Sequence, residues 1–239
     1  SQWFMRTGGA WGGRSDGAGA AYGCSSGPCE SQRTSDSSLV ILAGVLLSAL
    51  FYRGKEGERY SITRHFISEL GELGVSRMAP LFNASLILAG LLFILMLIGV
   101  GFDMNTPWGY IAMSAGIVTA AASMCVGIFP MNQINPHTIA AMTYFRSGLV
   151  TVLLFSVAII LQPAARRVIP LYVLFFGVLS LAAYTAFLLY AGRAAKKQAQ
   201  NVLDTEKVRA RPRFWWMAFL EWLVLISTIV WFLVVCSAR

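Results

Sequence analysis

The chain has 239 residues, 56% of them hydrophobic and only 13% charged, with a formal net charge of +8 and a mean hydropathy of +0.63. Soluble domains carry about a quarter charged residues, and their surfaces have little room for further apolar area. The composition excludes a soluble enzyme and a soluble nucleic-acid binder, and points to an integral membrane protein with its basic residues in the loops.

Residues 1–36 hold eight of the 22 glycines, many serines and no apolar periodicity. Such a stretch cannot bury enough surface to offset its ordering entropy, so a disordered Gly/Ser-rich tail is expected. It lacks the apolar core and cleavage site of a signal peptide. Cys24 and Cys29 lie in this segment. They are candidates for a disulfide in an oxidising compartment, whereas two thiols without a nearby histidine do not complete a tetrahedral metal shell.

Six apolar runs fill the second unit, residues 37–239. A membrane crossing needs about 20 residues. The first run, Leu39 to Tyr52, has 14 unless Ser37 and Ser38 join it. The others are long enough: Pro80–Phe102, Trp108–Phe129, His137–Leu161, Val168–Ala191 and Phe214–Val235. Prolines 80, 107, 130, 136, 163, 170 and 212 fall at or near run ends, where the missing N–H costs least. The expected fold is all-α, a polytopic bundle of six transmembrane helices.

The connection from Arg53 to Ala79 is the longest. Between Ser61 and Leu73 it has helical periodicity, with Ile62, Phe66, Leu70 and Leu73 on one face and His65, Glu69 and Glu72 on another. A short amphipathic helix at the membrane interface is expected, with Arg64 reaching lipid phosphates. The connections after runs 1, 3 and 5 share one side of the membrane and carry twelve of the 19 basic residues, including Lys207, Arg209, Arg211 and Arg213. The short loops opposite carry only Arg166 and Arg167. The positive-inside rule places the twelve-residue side in the cytoplasm and both termini outside.

Ionisable residues inside membrane helices usually mark function or an ion pair. Two stand well inside the runs, Arg146 and Glu221. At 1.5 Å per residue, Arg146 lies about 13 Å below the membrane face next to His137, and Glu221 about 12 Å below the face next to Arg213. The two faces are one and the same, so the charges are expected to pair. His65, Ser68 and Glu69 of the first connection approach that side too, as do Asn83 near the start of the second run and His137 beside the turn at 127–137.

Three readings of this cluster stay open. In the first, Arg146 and Glu221 form a structural ion pair. In the second, Arg146, His65 and His137 receive an anionic or polar lipid head group. In the third, the chain is a metal-dependent or acid–base membrane hydrolase acting on a lipid, with His65, Glu69 and His137 as ligands, although a catalytic zinc normally takes three protein ligands plus water and the chain has only two histidines. No nucleophile elbow, metalloprotease motif or phosphate loop is present.

Tyr60 followed by His65-Phe66-Ile67-Ser68-Glu69-Leu70-Gly71, then Leu81-Phe82-Asn83, then Gly127-Ile128-Phe129-Pro130 with His137, and finally Glu221-Trp222, together resemble the DUF998 family of membrane proteins over residues 39–236. The resemblance implies a six-helix fold and no reaction. The chain is also distantly similar to the superfamily of the damage-regulated autophagy modulators, which implies lipid-linked or regulatory roles by analogy. The leading expectation is a non-enzymatic, lipid-associated or regulatory membrane protein. It needs no cofactor or nucleic acid, and its expected partners are membrane lipids, with a protein partner or second copy as a further candidate. The alternative is the lipid hydrolase.

Overall fold

The computed structural model describes residues 27–200 and 214–238. Among them, six long helices follow one another: α1 (Gly27–Leu50), α2 (Ala79–Met104), α3 (Pro107–Ile128), α4 (Ile134–Ile160), α5 (Val173–Gln200) and α6 (Trp216–Ser237). Helices α2, α3, α4, α6 and the Val173–Lys197 part of α5 are long and apolar enough to cross a membrane, and the apolar part of α1 is the shorter Asp36–Leu50. The chain is a multi-pass integral membrane protein.

The helix starts follow local chemistry. The Thr106 side chain caps α3 by accepting from the Gly109 N–H, with Pro107 opening the helix. Asn105 takes the left-handed conformation (φ 43°) that closes α2 and lets the chain reverse within two residues. Helix α4 starts at Ile134, three residues before the run read from the sequence, because Pro136 fits its first turn, where no N–H is required. Helix α1 likewise starts at Gly27, ten residues before the boundary at 37. The rest of the expected tail, Cys24 with its candidate disulfide, and the basic residues 207–213 lie outside the described residues.

Each helix packs against its neighbours in sequence, and α6 closes back on α1, so the six form a ring. Leu88, Leu95, Ile139, Val150 and Phe175 are exposed on its outside. Such a surface suits lipid and not water. Inside, Met96, Val100, Phe155, Ile159 and Trp231 are almost fully buried. Gly127 brings the end of α3 against α2, where a Cβ would lie 2.6 Å from the Asn83 carbonyl oxygen.

The connection between α1 and α2 is not the amphipathic α-helix its periodicity predicts. It forms turns and one five-residue 3-10 helix, Ile67–Gly71. Ile62 and Leu73 are 48% and 46% exposed, whereas Glu69 is 3% exposed. The segment is folded into the mouth of the ring, where backbone and polar anchors outweigh the sorting of its apolar side chains. It acts as a cap.

Candidate functional site

The cap is held by hydrogen bonds to four parts of the ring. From α6, Glu221 Oε2 accepts the Ile67 N–H at 2.7 Å, and the Trp222 indole N–H donates to Tyr60 Oη at 3.0 Å. From α2, Asn83 Nδ2 donates to the Gly71 carbonyl at 3.1 Å. From the α3–α4 turn, Asn132 exchanges two bonds with the Leu73 backbone, at 2.7 and 2.9 Å. At the end of α1, Tyr52 Oη donates to Glu69 Oε2 at 3.3 Å, while Glu69 Oε1 accepts the Phe66 N–H at 3.0 Å and starts the 3-10 helix. Gly71 has no room for a side chain, since a Cβ there would meet Asn83 Oδ1.

An aromatic cluster fills the space behind these bonds. Tyr60 stacks on His65 with ring centroids 5.5 Å apart, and Tyr52 meets both edge-on. His65 is buried; its Nδ1 accepts the Ser61 N–H, and its Nε2 lies 3.5 Å from Glu58 Oε1 without hydrogen-bond alignment. Burial, with Glu221 nearby, raises the Tyr60 phenol well above the usual tyrosine range. Tyr60 therefore stays protonated and donates to the His65 carbonyl at 3.3 Å.

Beneath the cap, within the ring, lies a partly open cavity of about 130 Å³. Ile67 and Ser68 close its top, and Phe232 of α6 and Leu97 of α2 mark its depth. From Glu221 to Phe232 it follows α6 for about 16 Å, half of the ~30 Å hydrocarbon core. Gly90, Gly116 and Gly148 border it on α2, α3 and α4, and each lets a neighbouring helix approach, since a Cβ there would meet Met124, Leu97 and Tyr184 respectively. Glu221 is the one carboxyl group in the lining, and no Lys, Arg or His joins it among the described residues. The deeper hydroxyls satisfy one another, Thr119 with Thr151 at 2.9 Å and Thr228 with Tyr184 at 3.3 Å.

The residues singled out from the sequence thus divide. His65, Ser68, Glu69, Asn83 and Glu221 gather around the cap. His137 does not join them: it is buried at the start of α4, with Nδ1 on the Phe129 carbonyl at 2.8 Å, where it ties the helix to the preceding turn. Arg146 does not pair with Glu221. It is exposed on the outer stripe of α4 with Ile139, Thr143, Val150 and Leu153, whereas Glu221 faces the interior. The expectation rested on depth, which fixes height along a helix and not rotation about it. The head-group arrangement built on Arg146, His65 and His137 is therefore not assembled.

Among the described residues no three His, Cys, Asp or Glu side chains lie close enough to hold a metal ion, so His65, Glu69 and His137 are not brought together as ligands. The sequence reading also passed over Tyr52 and Asn132. The available signal was position: one aromatic at the end of an apolar run, one amide in a proline-bracketed turn.

No curated protein and no solved structure matches the chain. A family described as "Protein of unknown function (DUF998)" matches residues 38–238, which take in the second half of α1, the cap and the other five helices. The chain belongs to the DUF998 family.

Proposed function

We propose that this protein is a non-enzymatic, lipid-associated membrane protein that holds the apolar part of a lipid in the shaft beneath its cap. The observation that carries this reading is the cavity itself. It is long, walled by apolar side chains and glycines, and closed at one end by a polar lid. Pockets for small molecules have this composition, many apolar walls with a few placed polar groups. The hydrolase alternative finds less support, because His65 and His137 already serve as backbone hydrogen-bond partners in separate places.

The reading is tested by native mass spectrometry of protein purified from membranes. Wild type should retain lipid that Ala120→Phe loses, since Ala120 lines the shaft and a phenyl group would fill it. Equal lipid retention by the two would refute the shaft as the binding site. On the charge distribution, the cap faces the cytoplasm. A cysteine at exposed Glu56 should then resist a membrane-impermeant maleimide in intact cells and react after permeabilisation.

A further inference from the structure

We infer that the shaft selects a single-chain lipid whose head donates a hydrogen bond, an alcohol or a primary amine, and rejects anionic heads. This rests on the shaft holding a lipid at all and adds which lipid class it takes. The walls set the first half of the description. A space about 16 Å long between mostly apolar helix faces suits one extended chain.

The polar end sets the second half. A carboxyl group offers several acceptor sites. One oxygen of Glu221 receives the Ile67 N–H, the Ser68 N–H also bonds the carboxyl group, and the side chain still borders the cavity with acceptor sites to spare. Further down, the hydroxyls of Thr119, Thr151, Thr228 and Tyr184 are already engaged with one another or with helix carbonyls. Glu221 is therefore the group in the lining that gains most from a ligand's donor. A carboxylate or phosphate head would meet the opposite situation. It would lose its water beside the Glu221 carboxyl group and the apolar walls, with no Lys, Arg or His among the described lining residues to pair with it. Desolvating an unpaired anion there is costly, and a donor head avoids the cost.

The test uses the full chain in lipid nanodiscs with four probes of equal chain length: dodecanol, dodecylamine, dodecanoate and dodecane. Native mass spectrometry reads the retained probe. Wild type should retain the alcohol and the amine about tenfold more than dodecanoate, a ratio equal to about 1.4 kcal/mol. Glu221→Gln keeps an acceptor for the Ile67 N–H and should keep the alcohol while losing part of the amine. Glu221→Leu should level the four probes; if it does not fold, the wild-type series and Glu221→Gln decide alone. Retention of dodecanoate equal to dodecanol overturns the selectivity while leaving a lipid-holding shaft intact. If no probe is retained above the level of Ala120→Phe, the shaft reading fails and the selectivity falls with it.

Discussion

Counted from the ends of their apolar runs, Glu221 and Arg146 fall about 12 and 13 Å below the same membrane face, yet their surroundings differ. Glu221 is turned into the ring and bonded to the cap, beside a tryptophan that is 6% exposed. Arg146 lies on the stripe of α4 that faces outward. A charge facing inward has a partner on the protein, and its removal disturbs folding. A charge facing lipid is left to the bilayer, where snorkelling and local thinning carry its cost. The pair shows that rotation about the helix axis, more than depth, decides what an intramembrane charge does.

The largest effect on the inward side is expected from Trp222→Ala. It removes a large buried side chain from the α1–cap–α6 cluster together with the indole bond to Tyr60. Large-to-small changes of this kind cost about 3–5 kcal/mol. The melting temperature in detergent should fall strongly, and an unchanged value would mean that the cap contributes nothing to stability. Glu221→Ala comes next, since it strands the Ile67 N–H at the mouth of the ring, at roughly 1–3 kcal/mol. Glu221→Gln should recover most of that loss, and no recovery would argue against the hydrogen bond as its source.

Much of this was legible in the sequence. The apolar runs marked all six helices, five of them by length alone, and the residues His65, Ser68, Glu69, Asn83 and Glu221 do come together. Two things were hidden for physical reasons. Periodicity reads which side chains would share a face if the segment were α-helical, but in the first connection the anchors Asn83, Asn132 and Glu221 impose a tighter 3-10 path. A cavity, in turn, is space between helices. Gly90, Gly116 and Gly148 look in sequence like sites of close helix approach, and only the assembled ring shows that they also border a void.

A smaller effect is expected where one cap anchor is cut without making a large cavity. Asn83→Ala removes the bond to the Gly71 carbonyl and should cost about 1 kcal/mol. Its clearer signature is local. Amide hydrogens of Ile67–Gly71 should exchange faster while those of α3 and α4 keep their protection, because a cap opens below the global unfolding free energy. Uniformly faster exchange would instead mark the cap as part of the same cooperative unit as the ring.

The smallest effect belongs to Arg146. In a membrane the helices stay inserted when their packing is lost, so a lipid-facing side chain has nearly the same surroundings before and after. Arg146→Leu should therefore change stability by no more than about 0.5 kcal/mol, as surface substitutions do. Insertion into the membrane should become easier, since arginine at a helix centre is disfavoured by about 3 kcal/mol on insertion scales. The sharper measurement is the double variant. Residues without a shared partner have additive effects within about 0.5 kcal/mol, whereas a bonded pair couples by 0.5–3 kcal/mol. Arg146→Leu combined with Glu221→Ala should give the plain sum of the single effects. A coupling above 1 kcal/mol would restore the ion pair across α4 and α6, and the inward and outward charges would then be one feature and not two.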